Sequence, residues 1–157
     1  MLKPFFIIKR KINLKFLGNV IKLFISELDN AEKIEVQSIN CNLDGIIGDK
    51  FYKRDKNRSI LLSSLHSYNL AKQNGIDISY GTLGENILLD FDPHNLQIGT
   101  KIYIGDAILE LSQECTLCKH LTTINNKLPK LLKKDRGIFA YALNEAKINI
   151  NDKVYMK

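Results

Sequence analysis

Lys101-Ile102-Tyr103-Ile104-Gly105-Asp106-Ala107-Ile108-Leu109-Glu110-Leu111 holds two short apolar-rich runs around a Gly-Asp pair. Two such runs joined by two turn residues predict a β-hairpin, with strands over 101–104 and 107–111. On its C-terminal side, 137–143 and 152–156 read as closing strands, and 121–134 has mixed helical character around Pro129. On its N-terminal side, 86–90 reads as a short strand, and 59–63 as a buried one because its apolar run is continuous. Ser64 stands where it can cap a helix over Leu65–Gln73, which Gly75 stops. The alternation of Lys33-Ile34-Glu35-Val36-Gln37-Ser38-Ile39 predicts a half-buried strand. Val20–Ser26 reads as another, and 43–49 as a turn-rich stretch.

Seven or eight short strands with one to three short helices, and no strand–helix rhythm, argue against a doubly wound parallel sheet. The expected fold is mainly β, a mostly antiparallel β-barrel. Residues 1–14 read as a basic, apolar N-terminal extension without a clear period. Residues 15–157 read as a single domain, the usual count for this length.

The 157 residues are 45% hydrophobic and 25% charged, which excludes disorder, collagen and coiled coil for the chain as a whole. The net charge is +6. Such a charge raises the question of nucleic acid. The basic residues are nearly all Lys, however, and scattered. Abundant Lys, Asn and Ile together are what an AT-rich genome yields. Lys9-Arg10-Lys11 and Lys133-Lys134-Asp135-Arg136 are the densest clusters, and neither is interleaved with aromatics as a stacking platform would be. Nucleic acid is therefore not the expected partner. No apolar run is long enough for a signal core or a membrane span. Three cysteines do not make a secreted disulfide framework. The cytoplasm is the expected compartment.

Three segments can carry chemistry. In Gln113-Glu114-Cys115-Thr116-Leu117-Cys118-Lys119-His120, two thiols three apart beside Lys119 and His120 suit a low-pKa nucleophile or a soft metal ligand. They also suit two inert, partly buried cysteines. A thioredoxin-like site needs flanking βαβ units that the chain lacks. Structural zinc needs four ligands, and Cys115, Cys118 and His120 leave only the distant Cys41 as a fourth. The second segment is Gly81-Thr82-Leu83-Gly84-Glu85-Asn86. Its glycines permit positive φ or close backbone approach. Asn86 can bond local backbone, and Glu85 can receive backbone amides or a ligand. The third is Gly45-Ile46-Ile47-Gly48-Asp49-Lys50, with Arg58 beyond. Asp49 can orient Lys50 or Arg58, or simply pair with Arg58. An Arg opening a buried strand can bind phosphate. His66 and His94 read as surface or capping residues with no assigned role.

In order and spacing these segments resemble the MOSC family, the domain found at the C-terminus of molybdenum cofactor sulfurases and as stand-alone bacterial proteins. The resemblance runs from about Asn19 to Tyr155. It is carried by Gly45…Gly48-Asp49, Arg58, Gly84-Glu85-Asn86, Ile104-Gly105-Asp106-Ala107, Cys118, Arg136-Gly137-Ile138-Phe139-Ala140 and Ile148…Asn151-Asp152. Phe51 stands where many members have His, Leu117 where many have Pro, and Cys115 is an extra thiol.

The resemblance implies a β-barrel that binds molybdenum cofactor (molybdopterin) or carries sulfur for it. Cys118 would ligate molybdenum or carry a persulfide. Arg58 and Lys50 would hold the pterin phosphate. Gly84, Glu85 and Asn86, with Asp49 nearby, would shape the pocket. Cys115 would be an accessory thiol. Reduction of N-hydroxylated substrates is an activity ascribed to some relatives. At 157 residues the chain is too short to hold a desulfurase module as well. Sulfur is thus expected from a partner, a pyridoxal-phosphate-dependent cysteine desulfurase or a molybdoenzyme, and reduction would need a redox partner. The alternative is a CxxC redox or zinc-binding module without molybdenum chemistry.

Overall fold

The computed structural model describes residues 13–116 and 119–157, with Lys119 by its backbone alone. Most of the predicted extension over 1–14, and Cys118, lie outside the described residues. The strands are β1 (Lys15–Ser26), β2 (Lys33–Val36), β3 (Ser38–Asn42), β4 (Gly45–Ile46), β5 (Ile60–Ser64), β6 (Ile87–Leu89), β7 (Lys101–Ile104), β8 (Ala107–Glu114), β9 (Ile138–Ala142), β10 (Ala146–Asn149) and β11 (Lys153–Met156). The helices are α1 (Leu65–Gln73), α2 (Lys119–Ile124) and α3 (Leu128–Leu131).

The β7–β8 hairpin forms in the expected register, Ile104 opposite Ala107 and Lys101 opposite Glu110. From it the sheet runs β11-β7-β8-β9-β5-β6-β1-β2, and β11 also pairs with β1. That extra pairing closes seven strands into a barrel and leaves β2 as an appendage of β1. Closure removes the exposed edges that seven short strands would otherwise leave. All pairings are antiparallel except β5 with β6, which are parallel and joined through α1. A parallel pair needs such a crossover. One such unit is too little to show as a rhythm in the sequence. β3, β4 and β10 form a separate small sheet.

The continuous apolar runs are explained by burial on both faces. In β5, Ile60 and Leu62 point into the barrel core, while Leu61 packs outside with Cys115 and Phe139. In β6, Ile87 and Leu89 point inward, and Leu88 points out to a second core built by α1, α2 and α3. Alternate residues of a strand face opposite sides. A bulge in β1 between Val20 and Lys22 lets both Val20 and Leu23 face inward.

Several expectations need correction. The predicted strand over 33–39 is two strands that part at Gln37 and join different sheets, β2 on β1 and β3 on β10. β4 and β10 add to the predicted strand count. Ser64 occupies the N-cap position of α1 in extended conformation, but its side chain makes no capping bond and its Oγ is buried without a partner among the described residues.

Gly137 opens β9 at a tight spot. A Cβ there would lie 2.5 Å from the main-chain oxygen of Leu62 in the neighbouring strand. A backbone atom cannot swing away as a side chain can. Gly137→Ala is therefore expected to destabilise the chain by about 1–3 kcal/mol, the usual cost of overpacking. It would be read as a lower urea midpoint at unchanged slope.

Candidate functional site

On the outer face of β5 and β9, where Leu61 lies opposite Phe139, the described residues line a cavity of about 940 Å³. Four parts of the chain wall it: the 26–33 turn between β1 and β2, the 50–59 loop before β5, the 79–86 loop before β6, and Cys115 with His120 and Ile124. Its buried wall includes Ser59, Leu61, Asn86, Cys115, Arg136 and Phe139. Its rim is exposed, with Phe51 and Tyr80 each more than two-fifths accessible. Tyr80 is braced edge-on against Tyr68, ring centroids 4.9 Å apart.

Five cations line this space: Lys33, Lys50, Arg54, Arg58 and Arg136. Among the described residues none of them is in an ion pair. Arg58 ends the 3-10 turn 56–58 and lays its guanidinium 5.2 Å from the Phe139 ring centre. Lys50 sits 5.2 Å from the Phe51 ring. Burial holds the Lys33 ammonium below its ordinary pKa; Asp49 and Glu85 oppose that shift, and Lys50 adds to it. His120 also lines the cavity, as does Glu32. Asp55, another lining carboxylate, caps the 56–58 turn through the Asn57 amide.

The predicted acidic and amide residues are bonded to the protein's own main chain and side chains. Asp49 is buried and pairs with neither Lys50 nor Arg58. Its carboxylate accepts the backbone N–H groups of Ser26 (2.7 Å) and Phe51 (3.0 Å), and the Asn86 side chain at 3.4 Å. Three donors hold the carboxylate, and among the described residues no cation forms an ion pair with it. Asn86 bonds not local backbone but distant strands. Its side-chain oxygen accepts from the Leu61 amide at 2.9 Å, and its nitrogen donates to the Phe24 carbonyl at 3.2 Å. Gly84 lines the cavity at φ +87°, a conformation that favours glycine.

Glu85 lies behind the wall, wholly buried and outside the lining. Its Oε1 accepts from the Tyr68 hydroxyl at 2.6 Å and the Gly81 amide at 2.8 Å. Its Oε2 is buried without a partner among the described residues. Burial raises the Glu85 pKa, against the hydrogen bonds from Tyr68 and Gly81. Burial and the Glu85 carboxylate likewise hold the Tyr68 hydroxyl far above its usual range.

The thiols separate. Cys115 is buried in the cavity wall, its amide donating to the Gly137 carbonyl at 3.0 Å. Cys41 belongs instead to the barrel core, its thiol bonded to the Ala146 carbonyl at 3.4 Å and its pKa pushed up by burial. It cannot complete a zinc site from there. Cys118 is outside the described residues; its sequence neighbours Cys115 and His120 both line the cavity.

Among the described residues one group could hold a metal ion by spacing alone, His66, Asp92 and Asp135, with ligand atoms within 4.8 Å of one another. Its contacts are those of a surface ion-pair cluster outside the cavity, His66 lying 3.4 Å from Asp135 and His94 2.7 Å from Asp92. Among the described residues no helix is long and apolar enough to cross a membrane.

Sequence reasoning missed Lys33, Arg54 and Arg136 as lining residues. Each lies on a different segment, so no local pattern joins them. Arg136 stood inside a quoted motif, but only folding brings it to Leu83 and Gly84.

Comparison with known proteins adds the following. The model of the MOSC domain family matches residues 49–155. No curated protein matches the sequence significantly. The fold is similar to the crystal structure of the YuaD protein from Bacillus subtilis, with TM-score 0.79 and 16% identity over 91% of this chain and 97% of that one. It is also similar to YiiM from Geobacillus stearothermophilus (TM-score 0.65, 15% identity, 92% and 75% covered). YiiM from Escherichia coli gives TM-score 0.65 and 16% identity, with 88% and 69% covered. At these identities the likeness speaks for the fold.

A carboxyl whose pKa rises on folding binds more protons in the native state than in the unfolded chain between its two pKa values. Stability therefore falls as pH rises through that window, which for Glu85 opens near its ordinary value of 4.5. Glu85→Gln mimics the protonated form. It is expected to flatten this decline, matching the parent at acid pH and being at least as stable at pH 7. Denaturant midpoints across pH check it; parallel curves for the two proteins would refute it.

Proposed function

Since the chain belongs to the MOSC domain family, we propose that it binds molybdenum cofactor, or carries sulfur destined for that cofactor, in the cationic cavity. The observation that supports this reading most is the lining itself. Five cations without an ion pair among the described residues surround a space that Cys115 and His120, which flank Cys118 in sequence, also line. An anionic, phosphate-bearing group fits that charge, and a thiolate suits a soft sulfur-bearing or molybdenum centre.

In this reading Lys50 and Arg58 hold the phosphate, Arg58 with its fork of donors and Lys50 as a point charge. Cys118 provides the thiolate, as molybdenum ligand or persulfide carrier. Gly84 lets the wall approach closely, while Asp49, Glu85 and Asn86 fix the loops that present it. Were Cys118 to reach these cations, they would favour its thiolate over the thiol, which serves either role. When bound, the cofactor supplies a two-electron redox centre, the chemistry needed to reduce an N-hydroxylated substrate. Sulfur would come from a pyridoxal-phosphate-dependent cysteine desulfurase or pass to a molybdoenzyme, and reduction would need a redox partner. A reducing cytoplasm, which keeps the thiols available, is the compartment this chemistry suits.

A second reading rests on Cys115 sharing the cavity wall: a CxxC redox or zinc site without molybdenum.

Elemental analysis of the full chain, made anaerobically in a host that synthesises the cofactor, separates the two. The first reading expects about one molybdenum per chain, lost in Cys118→Ser and kept in Cys115→Ser. Zinc instead of molybdenum, lost in either variant, would favour the second. Sulfur carriage without resident cofactor expects cyanide-releasable sulfur on the parent and none on Cys118→Ser.

A further inference from the structure

Arg136 is only 6% exposed, yet it lines the cavity. Its Nε and Nη2 both donate to one acceptor, the Leu83 carbonyl, at 3.3 and 3.0 Å. A guanidinium has five N–H donors. Among the described residues a single neutral carbonyl leaves most of them, and the whole charge, uncompensated. The nearby acids are engaged elsewhere. Asp135, next in sequence, faces His66 at 3.4 Å. Glu85 is held by Tyr68 and Gly81. A buried cation without a counter-charge is costly, and proteins retain one where something else supplies the charge.

The side chain is also held in place. The Arg136 carbonyl accepts from Ser63 Oγ at 3.0 Å, fixing the backbone just before β9. Gly84 offers no side chain to displace the guanidinium; a Cβ there would already touch Nη2 at 3.6 Å. Leu61 and Phe139 make the adjoining wall apolar, which strengthens any charge interaction made there. Lys50 and Arg58, by contrast, stand at the more open rim.

We propose that Arg136 is an anion subsite on the cavity floor, separate from the Lys50–Arg58 rim, so that the cavity takes a ligand with two separated anionic groups, an oxyanion at the rim and a second at the floor. This deepens the preceding reading and shares with it the assignment of this cavity as the ligand site; it does not depend on molybdenum.

The test uses inorganic phosphate as probe, titrated calorimetrically into the full chain without cofactor at low ionic strength. Two phosphates per chain are expected. Arg136→Gln, which keeps a donor for the Leu83 carbonyl but drops the charge, is expected to lose one of them. Arg58→Gln is expected to lose the other, and Arg136→Lys to retain both. Absence of phosphate binding to the parent, binding unchanged by Arg136→Gln, or one site lost to either substitution alike overturns the proposal. If Arg136→Gln does not fold, the parent decides the matter. Phosphate should shield Arg136 from phenylglyoxal, read by peptide mass, and modification unchanged by phosphate refutes the subsite. Molybdenum content is measured on the same proteins. Two phosphate sites without molybdenum loading sink the cofactor reading alone. Molybdenum loading with phosphate binding indifferent to Arg136→Gln sinks the floor subsite alone.

Discussion

The Asn86 side chain is the tie on which the rest of the site depends. Its amide joins the Leu61 backbone of β5 to the Phe24 backbone of β1 and reaches the Asp49 carboxylate. Its own backbone donates to the Leu61 carbonyl and accepts from the Phe24 amide, both at 2.8 Å. A buried amide left unsatisfied costs free energy; one satisfied on all sides fixes a single arrangement. Asp49 extends the tie by gathering the amides of Ser26 and Phe51. Ser26, Phe51, Leu61 and Asn86 all line the cavity. The polar node thus sets where three of its walls stand, with Asn86 in the lining and Asp49 bracing it.

The same division governs the charges. Asp49 and Glu85 face main-chain donors and the Tyr68 hydroxyl, while Lys33, Lys50, Arg54, Arg58 and Arg136 face the open space. Carboxylates have little choice, because an ionised one deep in the fold must accept several hydrogen bonds. Long basic side chains can reach past the wall and leave their heads in the cavity. Five of the 23 basic residues scattered along the sequence come together in one concavity.

Much of the fold was legible because it rests on local signals. The Gly105-Asp106 hairpin, the β5 run and α1 each follow from a turn pair, an apolar run or a helix stop. What was lost depends on partners. Alternation through Lys33–Ile39 cannot show that the chain changes sheets at Gln37, where the main-chain carbonyl instead accepts the Ile150 amide. β10 offers a single wholly buried residue, Ile148, and β4 spans two residues, too little for any period. The site was legible in part for the same reason. Lys50, Arg58 and Gly84 sit in recognisable turns and do line the cavity. Arg136 and Lys33 meet them only through strand pairings that no residue in their neighbourhood announces. Asn86 reads as a partner of local backbone, whereas its side chain bonds main chain 25 and 62 residues away, and Asp49 reaches the Ser26 amide 23 residues away as well as that of nearby Phe51.

The five cations of the lining outnumber its two carboxylates, Glu32 and Asp55, and that excess also bears on stability. The cations repel one another across a space whose apolar wall screens less than water, and no internal acid among the described residues pairs with them. The native state carries that repulsion; the unfolded chain, in which the same residues are far apart, does not. An anion that enters the cavity removes the repulsion and binds only the folded form, so its binding energy adds directly to folding stability. Barrel closure through β11 and β1, and the Asn86 tie, are independent of these charges and hold the cavity open without a ligand. The charged lining can therefore be spent on recognition, because the frame that carries it is stabilised elsewhere.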